Sequence, residues 1–217
     1  NGTGEVKMKP EMVKAVCDEA HKLGYTVAAH TESPEGVKVA LENGADKAQV
    51  IAQQQIVMSS AFREICESNG CGNYGKCWMC PPDVGEIHAL MEEVRRYPYG
   101  LLYQTISEIE DSFDIEGMTE SGRVHAQVSQ KIQKAVLPVL GGKILHLTCG
   151  GCRLCATCAK RDGQPCRHPD DALPSLESYG IDVYHTAKDT ALRYINGENT
   201  VTYFGMVLFG ECAPCRS

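Results

Sequence analysis

Apolar positions in the first part of the chain follow a helix, strand, helix rhythm. Residues 10–23 place Met12, Val13, Val16 and Ala20 on one stripe of a helix, and Gly24 marks its end. Residues 25–30 read as a short buried strand. A second helix opens with Ser33 as N-cap and Pro34 at its first position and stops near Asn43 and Gly44. Val50, Ile51, Ile56 and Val57 predict one or two strands over 47–58, and a helix follows over 60–67. Residues 66–82 are crowded with Gly, Asn and Pro and must be irregular. The pattern then predicts a helix over 84–96, a strand over 100–109, a long or broken helix over 118–140 and a strand over 143–148. Helices are expected around Ser175 and over 186–194, then a turn at Asn196-Gly197 and a closing strand over 200–209. This order implies an α/β or α+β fold, with a mixed sheet, flanking helices and two irregular cysteine-rich loops. Two parts are expected: an N-terminal β-α unit over 1–45, an appendage or fusion remnant, and a cysteine-rich domain over 46–217.

Composition narrows the class. The apolar share of 43% and charged share of 23% are those of an ordinary globular protein. A net charge of −7 argues against a general nucleic-acid binder. No apolar run has the roughly 18 residues of a membrane span; the best candidate, 135–147, is broken by Pro138, Gly141, Gly142 and Lys143. The twelve cysteines are the anomaly. Most are clustered too tightly for a ladder of disulfides, so a reducing cytoplasm and metal ligation are expected.

The strongest signal is Cys149-Gly-Gly-Cys152-Arg-Leu-Cys155-Ala-Thr-Cys158, followed by Cys166. Three thiolates in unbroken Cys-x-x-Cys succession can each hold a different iron of a cuboidal cluster, and a fourth from farther along completes the set. Cys152, Cys155, Cys158 and Cys166 are therefore the expected ligands of a [4Fe–4S] cluster. Zinc, which favours two separated pairs, is the alternative. Cys149 is surplus: an exchangeable ligand or a buried structural thiol. Arg153, Lys160, Arg161 and Arg167 either favour the reduced, more anionic cluster and guide an acidic partner, or are simply solvated loop charges.

A second group is Cys66, Cys71, Cys77 and Cys80, the last followed by Pro81-Pro82. A proline directly after a ligating cysteine is familiar from ferredoxins. The spacing suits a second cluster, a zinc ion, or structural or redox-active thiols without metal. Phe62, Tyr74 and Trp78 are expected to pack around it. Cys212 and Cys215 form a redox or metal pair or a frayed tail with spare thiols, and Cys17 is a small core residue. The carboxylates Glu108, Glu110, Asp111, Asp114 and Glu116 read as a solvated loop rather than a cation site. His88, His125, His146, His168 and His185 are scattered, and only His168 stands beside a candidate ligand. No phosphate loop or dinucleotide fingerprint is present.

From about residue 43 to 209 the chain resembles a family of predicted metal-binding proteins, a domain of unknown function found mainly in anaerobic bacteria and archaea. The resemblance rests on Phe-Arg-Glu-Ile-Cys66, Cys71-Gly-Asn-Tyr-Gly, Trp78-Met-Cys80-Pro-Pro, the Gly-Gly-Cys152 triple, Pro165-Cys166-Arg, Pro174-Ser-Leu-Glu-Ser-Tyr-Gly and Asn199-Thr-Val-Thr-Tyr-Phe-Gly. It implies metal binding through Cys66, Cys71, Cys80, Cys152, Cys155, Cys158 and Cys166. Cys77 and Cys149 are then additions, and the group at Cys66 has three firm ligands and an open fourth position. Over the first 45 residues, Glu19-Ala-His-Lys-Leu-Gly-Tyr-Thr-Val-Ala-Ala-His30 resembles one β/α step of an amidohydrolase barrel, where His30 would be a metal ligand. A whole barrel needs about 250 residues.

Three functions follow as expectations. The first is electron transfer or a redox-accessory role, with one or two [4Fe–4S] clusters and a redox partner protein, and with no nucleic acid or membrane as partner. The second is an enzyme whose open cluster at Cys66, Cys71 and Cys80 activates a small substrate. The third is a zinc-binding structural or interaction module.

Overall fold

The computed structural model describes residues 34–140 and 142–210. Cys17, His30, Cys212, Cys215, the helix over 10–23, the strand over 25–30 and the Ser33 cap lie outside them. The described elements run α1 (Pro34–Glu42), β1 (Lys47–Ala52), α2 (Phe62–Glu67), α3 (Ile87–Arg95), β2 (Tyr99–Glu108), α4 (Ile115–Leu140), β3 (Ile144–Leu147), α5 (Val183–Lys188) and β4 (Thr200–Phe209). Short 3-10 turns stand at Gln53–Gln55, Ala159–Asp162 and Glu177–Tyr179. The fold is α+β. The four strands form one sheet in the order β1-β2-β4-β3, with every strand pairing antiparallel. The helix expected over 186–194 begins earlier and is shorter, because Asp182 caps it by accepting the His185 N–H at 3.0 Å.

Strand alternation divides the core in two. On one face Leu101 and Tyr103 of β2 and Val207 and Phe209 of β4 meet Val128, Ile132, Val136 and Leu140 of α4, with Ala40 of α1. Residues 34–45 thus share a core with the strands that follow. On the other face Leu102, Phe204, Met206, Leu208 and Leu147 meet Leu90 and Val94 of α3, together with Leu176, Tyr179 and Ile181. Helix α4 is continuous, and its buried positions (Ser121, His125, Val128, Ser129, Ile132, Val136 and Leu140) keep the three- and four-residue spacing of a helix lying on a sheet. Of the acidic run before it, Asp114 accepts the N–H groups of Gly117 at 2.7 Å and Glu110 at 3.1 Å, which fixes the start of the helix.

The α4 face also contains a polar seam. Tyr103 lies fully buried across β4, opposite Gly205, where a Cβ would stand 2.2 Å from its ring. Only glycine leaves room for this crossing. The Tyr103 hydroxyl lies 2.7 Å from Ser129 Oγ and 2.8 Å from His146 Nε2. Ser129 Oγ donates to the His125 carbonyl at 3.0 Å and sits 2.9 Å from Thr148 Oγ1. His125 Nε2–H donates to the Phe204 carbonyl at 3.1 Å, so Nδ1 accepts from the Thr105 hydroxyl at 2.8 Å. His146 Nδ1 is 3.0 Å from Gln133 Oε1. Both histidines are satisfied as neutral rings, and burial holds them there: His125 is pushed down to about 4 and His146 to about 3, from 6.5.

Two outcomes follow. Gly205→Ala should cost about 3 kcal/mol in urea unfolding, and its effect should be sub-additive with that of Tyr103→Ala, because removing the ring relieves the clash. Below pH 6.5 the unfolded chain takes up protons that the buried histidines refuse, so stability is full above 6.5 and is lost as pH falls towards 4 and 3. The loss is on the order of 3 kcal/mol for His125 alone. Melting temperature between pH 7 and pH 5 should fall less steeply in His125→Gln and His146→Gln than in the parent chain.

Candidate metal centre

All nine cysteines among the described residues are free thiols. The upstream group is gathered by a closed loop. Helix α2 carries Cys66 in its last turn and gives way to Asn69, whose φ of 55° reverses the chain. Asn69 Oδ1 accepts the Tyr74 N–H at 3.0 Å, and the Gly75 N–H donates to the Pro81 carbonyl at 2.9 Å, closing residues 69–81 on themselves. Gly75, with φ of 66°, supplies the left-handed turn that this closure needs. Cys71 stays exposed at the loop surface, while Cys77 and Cys80 are buried. Burial pushes the Cys66 thiol up, against the opposing pull of the Arg63 guanidinium.

The downstream group hangs from the end of β3. Thr148 continues the strand by donating its N–H to the Pro174 carbonyl at 2.9 Å and accepting from the Leu176 N–H at 2.8 Å. Residues 149–158 then run without regular structure into the 3-10 turn Ala159–Asp162. Cys152, Cys155, Cys158 and Cys166 line one small void, with Met79, Leu154 and His168 at its wall. Burial pushes the Cys152 thiol up.

Cys77 joins the two groups. It lines the downstream void together with the other four thiols. A hydrogen bond from the Cys80 thiol is the main cause that lowers Cys77 to about 6, with help from the Met79 and Cys152 N–H groups and the Cys158 thiol. The same hydrogen bond pushes Cys80 up. Among the described residues no three His, Cys, Asp or Glu side chains converge on a point as a single bound ion would require.

A clamp holds the loops together. Trp78 Nε1–H donates to the Gln164 carbonyl at 2.9 Å, Lys160 Nζ lies 4.2 Å from the centre of the Trp78 ring, and Lys160 pairs with Asp83. Arg167 donates to the Thr157 carbonyl at 3.0 Å and Arg153 to the Thr119 carbonyl at 3.3 Å. Lys160, Arg153 and Arg167 thus tie the loops down as well as bringing charge to the thiols. Between α4 and the downstream loop opens a cleft of about 510 Å³, lined by Arg123, Gln127 and Gln130 of α4 and by Cys149, Cys152 and Arg153 of the loop.

The structure places some expected residues elsewhere and adds others. His88 and His185 are exposed, and His125 and His146 belong to the core seam. Cys149 is half-buried, and desolvation pushes its thiol up to about 12, with the Glu177 carboxylate adding to the rise. Glu177 and Arg63 were not singled out by sequence reasoning, although both stand inside the segments that carried the resemblance. The Glu177 carboxylate acts on both the Cys66 and the Cys149 thiols, and burial pushes it up.

The donor set fits a thiophilic metal or cluster: free thiols in two groups, carried on loops that supply backbone N–H groups to sulfur. No helix among the described residues is long and apolar enough to cross a membrane. No curated protein and no solved structure matches the chain. A family model described as predicted metal-binding protein (DUF2284) matches residues 49–209, which contain both thiol groups and all four strands but the first two residues of β1. The chain belongs to this family of predicted metal-binding proteins.

Proposed function

We propose that this chain is an iron–sulfur protein of the cytoplasm that carries electrons or supports a redox partner. One [4Fe–4S] cluster is assigned to Cys152, Cys155, Cys158 and Cys166, and a second to the group of Cys66, Cys71 and Cys80. The observation that carries the reading is the void lined by Cys77, Cys152, Cys155, Cys158 and Cys166, in which an unbroken Cys-x-x-Cys-x-x-Cys triple meets a distant fourth cysteine. A bound cluster supplies a one-electron centre. The protein's part is to hold it, to shield its sulfurs and to set its charge environment.

Cys77 supports a two-centre arrangement, because one side chain reaches both Cys80 of one group and Cys158 of the other. Centres whose ligands flank one common side chain are close enough to exchange electrons. Exposed Cys71 leaves the upstream group near the surface, where a partner could approach. Zinc in both groups is the competing occupant.

Protein purified anaerobically should be brown, with iron and acid-labile sulfide near equality. Cys155→Ala should lose about half of both, and Cys77→Ala should keep them, since neither assigned ligand set includes its sulfur. Stoichiometric zinc without sulfide, even after anaerobic reconstitution, would sink the reading. Removing the metal should raise amide hydrogen exchange in residues 66–82 and 149–169 while β2 and β4 stay protected. Equal protection of those loops in both forms would mean that metal does not organise them.

A further inference from the structure

Two buried polar atoms beside Cys66 have no partner. Glu177 is only half-buried as a residue, but its Oε2 has no appreciable contact with solvent and no hydrogen bond within the described residues. Arg63 Nε is in the same position, although the other end of its guanidinium donates to the Gly85 carbonyl at 2.9 Å. The remaining orphan atoms, on Tyr97 and Gln104, belong to residues buried elsewhere in the structure. A buried acceptor left unpaired costs about 1–3 kcal/mol, and more when it is charged. Protonating the carboxyl does not remove the problem, since an Oε2–H would be a donor without an acceptor.

The fold puts these two residues at the upstream thiols. Glu177 opens the 3-10 turn that packs on α2, the helix bearing both Arg63 and Cys66. Its backbone is pinned from the other side by the Thr148–Ser175 bridge and the Leu176 N–H to Thr148 carbonyl hydrogen bond. Its Oε2 is left buried without a hydrogen-bond partner. The charges of both Arg63 and Glu177 act on the Cys66 thiol. Cys77, the remaining thiol of the upstream motif, also lines the downstream void.

We propose that Glu177 is the fourth protein ligand of the upstream metal group, binding through Oε2 beside Cys66, Cys71 and Cys80, while Arg63 Nε–H donates to a sulfur of the same group. One occupant then satisfies both orphans: a metal cation takes the carboxylate oxygen, and an anionic sulfur takes the guanidinium N–H. The mixed set of three thiolates and one carboxylate makes the two centres chemically unequal. A carboxylate is a harder, more weakly bound donor to iron than a thiolate, so the upstream centre gives up one iron more readily. This rests on the iron–sulfur reading above and extends it from the cysteines to a residue outside both cysteine motifs.

The test uses the full chain, reconstituted anaerobically with iron and sulfide, as parent, Glu177→Gln, Glu177→Ala and Glu177→Cys. Iron and sulfide are counted, and conversion to a three-iron form under ferricyanide is followed by electron paramagnetic resonance. Glu177→Gln and Glu177→Ala should form the three-iron signal about tenfold faster than the parent, or lose the upstream iron outright, with the downstream cluster intact. Glu177→Cys should slow the conversion below the parent's rate by supplying a fourth thiolate. Parent-like conversion and iron content in all three variants would overturn the role of Glu177 and leave the iron–sulfur reading standing. A parent that holds a single cluster, lost entirely in Cys155→Ala, would also overturn it, by removing the upstream group. A parent that binds zinc and no sulfide would instead overturn the iron–sulfur reading itself. Glu177→Gln keeps the shape of the side chain, so it decides the matter even if Glu177→Ala folds poorly.

Discussion

The cysteine-rich end of this protein depends on how strand β3 stops at Thr148. That residue uses its N–H and carbonyl on the 174–176 segment and brings its hydroxyl to Ser129 of α4. Three parts of the chain that are far apart in sequence are pinned at one point: the long helix, the downstream cysteine loop and the turn that carries Glu177. The chain leaves this point as irregular backbone, so the cysteines from Cys149 onward start from a position that the sheet fixes at Thr148. Buried backbone groups must find partners, and here they find them across segments rather than within one.

The polar seam beneath that point explains why it holds. Tyr103 crosses β4 over Gly205 and meets Ser129 and His146, so the edge strand β3 is tied to the centre of the sheet by side chains as well as by its short ladder. Such a buried network is stable only when every member is paired, and here the histidines are paired because they stay neutral. The upstream loop is built on the opposite principle. It closes on itself through turns, with Asn69 on Tyr74 and Gly75 on Pro81.

Much of this was legible in the sequence. Strand β4 coincides with the expected 200–209, and β2 lies within one residue of the expected 100–109 at each end, because alternation and flanking turn residues mark them clearly. The two cysteine groups also emerge as separate loops. What could not be read is contact between distant segments. The spacing of Cys77 assigns it to the upstream group, yet its side chain faces the downstream void as well. Glu177 looks like any carboxylate in a polar turn until the packing of that turn on α2 is known. Nor does the pattern of α4 reveal that His125 and Ser129 are core residues, since polar side chains on a helical stripe ordinarily mark the solvent face.

The clamp between the loops has one more property. Trp78 is the only tryptophan in the chain, and it stands at the join, with its indole on Gln164 and Lys160 over its ring. Any event that parts the two loops changes the polarity and hydrogen bonding around that indole and around no other. The fluorescence of the unlabelled protein is therefore a single-site optical gauge of whether its two cysteine loops are engaged.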